Sequence, residues 1–564
     1  MRKTITKLFL ATFILTLGLF VLQGKIKAAS NNIYYITASA GETHETAGIN
    51  YHCNNANSYV LYGTSQNLTT VNARRANPEV TEFEKPQLET DSNTGFVKRY
   101  VCKATLTGLS PSTTYYYKVV SGNEESAVYS FKSTAQDSAK RSFMILADIH
   151  ASSETYVAKT QTTVTNVLKK EYNTNLGLIT TAGDNVDRGG YEYEWKALFN
   201  KMTSFQNYLW SAIPGNHEYY HDNQPGYISP EYFNQFFNNP LNGPESKLNS
   251  SYYIKYGNAL IIMLDVIKKD NNEIQKAWFK QVVENNPATW IIVISHPGCY
   301  SAGAYASDAE WMSNHWRSTF EECQVDLAFS GHEHIYLRKN SSYKNEYNAE
   351  LGTTYMVSPA AGMKQYPPQD KYKAQFDKIL TVYTYAANVV TMSGNQLIVK
   401  LYDMNGNKVE EYKIDAKRPS EVEPMTDQEI LDSLSLNYDK ENYKVDITWD
   451  EYLWGNVKNV EITCDKFAGD VWKTVISSPN NNSYTINAIY DTYDYYFTVT
   501  LTKTDNTTIS KQLELINVVP SDPEPEPTPT PEPEKKGCKK KSLISIISLT
   551  SLLSAVLVIF RKKH

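Results

Sequence analysis

Phe143-Met144-Ile145-Leu146-Ala147-Asp148-Ile149-His150 runs apolar for five residues and then delivers an acid and, two residues on, an imidazole. A short apolar run bounded by polar residues has the length of a buried strand and is too brief for a helix. The event recurs downstream. Leu178-Ile179 leads into Gly183-Asp184-Asn185, and Trp210 to Pro214 into Gly215-Asn216-His217-Glu218. Trp290 to Ser295 leads into His296, and Leu327 to Ser330 into Gly331-His332-Glu333-His334. Apolar runs of this kind between helix-like stretches indicate strands covered on both faces, as in an α/β sheet. In such sheets ligands bind beyond the carboxyl ends of the strands. Five strand ends would therefore bring Asp148, His150, Asp184, Asn216, His296, His332 and His334 to one place.

Carboxylates, imidazoles and a carbonyl oxygen together suit two divalent or trivalent metal ions such as Mn, Fe or Zn, rather than Cu(I). In an extended chain alternate side chains share a face, so D-x-H and H-x-H each aim two ligands the same way. By the same alternation Glu218 and Glu333 point away, and no role is expected of them. Gly183, Gly215 and Gly331 precede ligands and permit close backbone approach. One shared carboxylate can bridge two ions roughly 3.5–4 Å apart.

The ordered series D-x-H, G-D, G-N-H-E, an apolar strand into His, and G-H-x-H resembles the signature of the metallophosphoesterases, the calcineurin-like phosphoesterases. The strand Trp290–His296, the segment Gly331–Arg338 and a closing hairpin, Gln396–Tyr402 with Lys408–Ile414 through Asn405-Gly406, are similar to purple acid phosphatases. The resemblance covers roughly Ile33 to Ala416. It implies an α/β fold: a metallophosphoesterase β-sandwich flanked by helices, with an N-terminal and a C-terminal all-β sandwich domain. It implies that Asp148, His150, Asp184 and His334 hold a first metal. Asp184, Asn216, His296 and His332 would hold a second, with Asp184 bridging. His217 would face the substrate, donate to a phosphate oxygen and protonate the leaving group, so His217 and Asp184 are the expected catalytic residues. The implied reaction is hydrolysis of a small phosphate monoester by hydroxide activated on two metals. A phosphodiesterase or nucleotidase is the rival on the same core, and a surface binding protein with an inert phosphatase domain is the rival of another class.

The chain departs from the purple acid phosphatase pattern twice. That family carries a Tyr three residues after the bridging Asp, where this chain has Asp187, and a Gly two residues after the first Asp, where it has His150. An imidazole thus stands in for a phenolate, which implies a colourless site holding Mn(II), Fe(II) or Zn(II). Asp187 reads as support for a ligand or as a solvated surface acid. Tyr219, Tyr220 and His221 could line the pocket or pack the loop. Tyr336 and Arg338 resemble family residues near the site, though Arg338 could equally make a structural ion pair. His44, His52 and His315 match no motif.

The remaining chain divides by texture. Residues 30–138 read as short strands, and in Leu106–Val120 a turn precedes Tyr115, whose hydroxyl would bond back across a β-sandwich corner with its ring in the core. With Val128–Phe131 as a last strand, this region looks like a fibronectin type III sandwich. The catalytic domain is expected over 139–417. Residues 426–518 form a second sandwich, with strands at Tyr443–Trp449, Val460–Cys464, Tyr495–Leu501 and Ile509–Leu515. A Pro/Glu-rich spacer and basic segment follows over 519–542. The uncharged run 543–560 is just long enough to span a bilayer. Residues 1–29, with a basic start, an apolar stretch and Ala28-Ala29-Ser30 at the exit, have the layout of a signal peptide. The expected location is extracellular, anchored to the membrane by the C-terminal helix. The net charge of −6 includes the acidic spacer and basic tails and says little about partners, but there is no basic body suited to nucleic acid, and none is expected as a structural partner. Six cysteines in 564 residues are too few for a disulfide scaffold, although Cys53 could pair with Cys102 and Cys299 with Cys323.

Overall fold

The computed structural model describes residues 32–516, apart from 84–98, 135–140, 172–173, 175, 221–229, 271, 382–383, 394, 419–425, 450–456, 468–469, 478–482, 491–492 and 504–505. The expected signal peptide, His221, the spacer and the apolar run 543–560 lie outside the described residues. Among the described residues no helix is long and apolar enough to cross a membrane. The membrane partner expected through a C-terminal helix is therefore corrected and withdrawn: it rested on the length of one apolar run, and among the described residues no helix could serve as an anchor.

Two sheets stack face to face in the catalytic region. The first has the order Leu209–Ile213, Leu176–Ala182, Arg141–Leu146, Ala387–Ser393, Gln396–Tyr402, Lys408–Asp415. Its first three strands are parallel and the rest antiparallel, ending in the expected hairpin with Gly406 at φ +76°. The second sheet runs Tyr252–Tyr256, Ala259–Leu264, Trp290–Ser295, Leu327–Ser330, Thr353–Val357, Tyr336–Tyr343, Glu346–Tyr347, with Lys378–Leu380 paired to Tyr336–Tyr343. Its inner strands from Ala259–Leu264 to Thr353–Val357 are parallel.

The apolar runs are continuous because both faces of each strand are covered. Phe143 and Ile145 point into the core between the sheets, with Ile261, Ile292 and Phe329 opposite. Met144 and Leu146 point the other way, into a layer shared with Val157, Val164 and Trp195 of the flanking helices Glu154–Lys170 and Glu192–Lys201. The longer helix buries Val157, Thr160, Val164 and Val167 at helical spacing, with Glu154 in its first turn and Lys169 and Lys170 in its last, each complementing the helix dipole. On the outer face of the second sheet, Ile262 and Val293 meet Phe279 and Met312 of the helices Asn272–Asn285 and Ala306–His315.

The N-terminal sandwich pairs a sheet Ile33–Ala40, Ala47–Cys53, Tyr100–Leu106, Glu79–Glu82 with a sheet around Ser58–Gly63 and Thr114–Ser121. Tyr115 behaves as expected: its ring is buried and its hydroxyl accepts from the Ser110 N–H at 2.9 Å. The C-terminal sandwich has the sheets Ser435–Asp439, Lys444–Thr448, Ser483–Asn487 and Asp470–Ile476, Val457–Phe467, Tyr495–Lys503, Thr508–Leu515. It contains all four strands expected from the sequence. Asp470–Ile476, Ser483–Asn487 and Ser435–Asp439 were not expected.

Candidate active site

Every sequence-predicted ligand sits just past the carboxyl end of a strand, and all are buried. Donor atoms of Asp148, His150, Asp184 and His334 lie within 4.8 Å of one another, and those of Asp184, His296 and His332 form a second such group. Asn216 joins the second through Oδ1, 3.0 Å from His296 Nε2. The two groups meet at Asp184, whose Oδ2 lies 3.4 Å from His150 Nε2 and 3.2 Å from His296 Nε2.

The pairing of ligands does not arise as the alternation argument expected. Asp148, His150, Asp184, His332 and His334 all have positive φ, between 47° and 73°. Left-handed backbone at non-glycine residues is uncommon and costs roughly 1–2 kcal/mol each, so side chains in D-x-H and H-x-H converge through a twisted turn and not through an extended one. Three glycines make room, and a Cβ on Gly215 would come within 2.2 Å of Asp184 Oδ1. Gly183 has φ +82°, and a Cβ there would come within 2.6 Å of His296 Nδ1; a Cβ on Gly331 would come within 2.5 Å of Asp148 Oδ2.

On His150, His296 and His332 the ring nitrogen facing away from the centre is occupied, whereas His334 Nδ1 is buried with no hydrogen-bond partner among the described residues. His296 Nδ1 donates to the Ala182 carbonyl at 2.8 Å. His332 Nε2 meets Asp308 Oδ2 at 3.2 Å, and His150 Nδ1 meets Asp187 Oδ1 at 3.1 Å. A proton fixed on each outer nitrogen turns the lone pair of the other inward. The inner nitrogens then face each other at close range: His150 Nε2 and His334 Nε2 at 3.1 Å, His332 Nδ1 and His296 Nε2 at 3.1 Å. Lone pairs and carboxylates converging on two points fit cations. Burial holds His150 and His332 below the ordinary imidazole range, in the neutral form a metal requires. Burial also disfavours charge on His296, yet the Asp184 and Asp148 carboxylates outweigh it and push that ring up to about 9, a measure of how strongly the pocket favours positive charge.

His217 differs from the other imidazoles. Its side chain is 18% exposed, against 1–6% for His150, His296, His332 and His334. Its Nδ1 donates to the Asp187 carbonyl, its Nε2 lies 3.8 Å from Asp184 Oδ2, and its ring stands edge-on to His150. Tyr220 packs against it and accepts from Asn216 Nδ2 at 3.1 Å, so Tyr220 lines the pocket. Tyr219 is buried and donates to Asp265, a packing role. Arg338 pairs with Glu410 at 3.3 Å and Tyr336 is fully buried, so both are structural. His52 is buried between Arg99 and the Gln235 carbonyl, and His315 bonds the Trp311 carbonyl.

Several contributors escaped the sequence reading. Glu218, of which no role was expected, is no bystander. Its carboxylate accepts N–H groups from Gly215, Asp184, Asn185 and Val186 at 2.6–3.1 Å. Burial and the nearby Asp184 push its carboxyl up to about 8. Glu333 likewise accepts from Ala302 and Tyr305. Their places inside G-N-H-E and G-H-E-H were the available signals. Asp187 is bonded to His150 and, at 2.6 Å, to Lys364. Tyr305 stacks on His332 and Tyr366 on His334, with their hydroxyls 3.3 Å apart. Asp308, Lys364, Tyr305 and Tyr366 stand in no motif, and only the fold reveals them.

Comparison with known proteins gives this geometry its kinship. Residues 141–336 match the calcineurin-like phosphoesterase model, and residues 34–133 the purple acid phosphatase N-terminal domain. Purple acid phosphatase 23 of Arabidopsis thaliana is 24% identical over 271 residues, 42% of this chain and 57% of that protein. The Fe(3+)-Zn(2+) purple acid phosphatase 12 of the same plant is 27% identical over 172 residues, 29% of this chain and 36% of that protein. The chain thus spans about half the length, or less, of the curated relatives it matches. A purple acid phosphatase from yellow lupin (Lupinus luteus) seeds superposes with a TM-score of 0.56 at 15% identity, over 69% of this chain and 75% of that one, a likeness of fold. Residues 141–336 accordingly belong to the calcineurin-like phosphoesterases, joined in this chain to a purple acid phosphatase N-terminal domain.

Proposed function

We propose that this protein is a dinuclear-metal phosphohydrolase that cleaves phosphate monoesters outside the cell, with 30–138, 139–417 and 426–518 as its domains. One observation carries the reading: a single oxygen of Asp184 is within 3.4 Å of a nitrogen from each of the two ligand groups. Asp148, His150, Asp184 and His334 would hold the first ion, and Asp184, Asn216, His296 and His332 the second, with Asp184 shared. Bound ions would supply positive charge for the phosphate oxygens and acidify water for the attack. His217 supplies the proton. Its Nδ1 is committed to the Asp187 carbonyl, so Nε2, 3.8 Å from Asp184 Oδ2, is the nitrogen free to meet the leaving oxygen. General-acid help of this kind is worth roughly 10²–10⁴-fold. With Asp187 in place of a metal-binding tyrosine, the ions are Mn, Fe(II) or Zn and the protein is colourless. The basic and then apolar layout of Met1 to Ser30 supports export.

The test is hydrolysis of p-nitrophenyl phosphate against bis-p-nitrophenyl phosphate after chelation and re-addition of Mn, Fe or Zn, beside Asp184→Asn and His217→Ala. Metal-dependent monoester cleavage is expected. It should be lost with its metals in Asp184→Asn, and reduced roughly 10²–10⁴-fold with metals retained in His217→Ala. Preference for the diester would replace the monoester reading, and cleavage of neither substrate by metal-loaded protein would overturn it.

A further inference from the structure

We infer that Cys53 and Cys102 form a disulfide bond across the N-terminal sandwich. Cys53 ends the strand Ala47–Cys53, and Cys102 lies in the antiparallel neighbour Tyr100–Leu106. The register sets Tyr51 opposite Cys102 and Cys53 opposite Tyr100, so the cysteines are diagonal neighbours on one face. That face is the core: both residues are 0% exposed and belong to the main buried cluster. All five described cysteines are present as thiols, and these two sulfurs are 3.5 Å apart. A disulfide of about 2.05 Å requires an approach of roughly 1.5 Å.

The surroundings offer the pair little else. Cys53 Sγ reaches the Asn55 carbonyl at 3.2 Å, and Cys102 Sγ meets Ser58 Oγ at 3.4 Å. The other described cysteines are elsewhere: Cys299 and Cys323 pack in the outer layer of the second catalytic sheet, and Cys464 in the core of the C-terminal sandwich. The bond closes a loop that carries Phe83 and Arg99, whose side chains stack on each other, and Arg99 is paired with Glu192 of the catalytic domain. The cross-link would restrict the unfolded chain where the two domains join.

The chemistry is thiol–disulfide exchange. One cysteine thiolate attacks a donor disulfide, forming a mixed disulfide and expelling one donor thiol. The second thiolate then attacks that protein sulfur and expels the other. The two cysteines lose two protons and two electrons, and the donor leaves as two thiols. Because both sulfurs are buried, exchange precedes closure of the sheet, during folding in an oxidising compartment.

The experiment refolds the full chain with reduced and oxidised glutathione, denatures it without reductant, blocks free thiols with N-ethylmaleimide and maps the peptides by mass spectrometry. The expected result is one linked pair of peptides containing Cys53 and Cys102, separated by reductant. Reductant should also lower the melting temperature of the wild type and leave that of Cys53→Ala/Cys102→Ala unmoved. Both cysteines recovered as blocked thiols, or either linked to a different cysteine, overturns the inference. If the double variant does not fold, the wild-type peptide map decides alone.

Discussion

In the N-terminal sandwich the Tyr115 hydroxyl accepts from the N–H of Ser110, and in the C-terminal sandwich the Tyr495 hydroxyl accepts from the N–H of Tyr490 at 3.2 Å, five residues upstream in both cases. The corners match, and the borders do not. Ile49, Tyr51, Tyr115 and Phe131 share one buried cluster with Phe143, Ile292 and Val399 of the catalytic sheets. The C-terminal core runs only from Ile430 to Leu513. The first sandwich also sends polar groups across. Arg99 and Glu192 form an ion pair at 0% exposure, Tyr35 donates to the same carboxylate, and Asn238 of the catalytic domain donates to the Ala104 carbonyl. Gly48 lies so close that a Cβ would come within 2.1 Å of the Asn238 carbonyl. Two sandwiches with the same corner thus stand in different relations to the chemistry. The first is part of the body that holds the site, and the second keeps a core of its own.

The comparison breaks most readily by deletion. Removing 30–138 should leave no soluble folded enzyme, whereas removing 426–518 should leave monoester hydrolysis within about twofold, as expected of a unit with its own core. Loss of activity in the second deletion would join the C-terminal sandwich to the catalytic body. A smaller effect comes from Arg99→Met, which strands the Glu192 carboxylate away from water. Stranding a buried charge costs roughly 3–5 kcal/mol, read as a lower urea midpoint of the catalytic transition, and an unchanged midpoint would mean that the two domains are not coupled through this pair. The smallest is a matched pair of corner variants. Tyr115→Phe and Tyr495→Phe should each cost about 1 kcal/mol. Only Tyr115→Phe should move the unfolding transition that carries enzymatic activity, and a shift of that transition by Tyr495→Phe would erase the distinction drawn here.

What the sequence disclosed followed from covalent order. The apolar runs before Asp148, Asp184, Asn216, His296 and His332 are read directly, because strands covered on both faces tolerate few polar residues, and the ligands follow at their ends. The turn conformations were not legible: nothing in D-x-H says that both residues adopt positive φ, since that depends on the loops packed around them. Asp308 and Lys364 were hidden for a related reason, each reaching its histidine from a distant part of the chain. Arg99 and Glu192 stand in no motif, and only the closed fold brings them together. Asp470–Ile476 and Ser483–Asn487 were missed because they are mixed in polarity, with Val475 49% exposed, so neither shows a clean inward face.

The Glu218 carboxylate has a consequence for how the protein meets its metals. It grips amides from the Gly215 turn and from the Asp184–Val186 turn at once, so two stretches of backbone that bear ligands are fastened to each other by a group that touches no metal. An arriving ion must shed water, but it need not order the chain. Loading is then an act of capture, unlike the folding that accompanies binding in small metal-dependent domains. The frame for the ions would be set by the fold before either arrives.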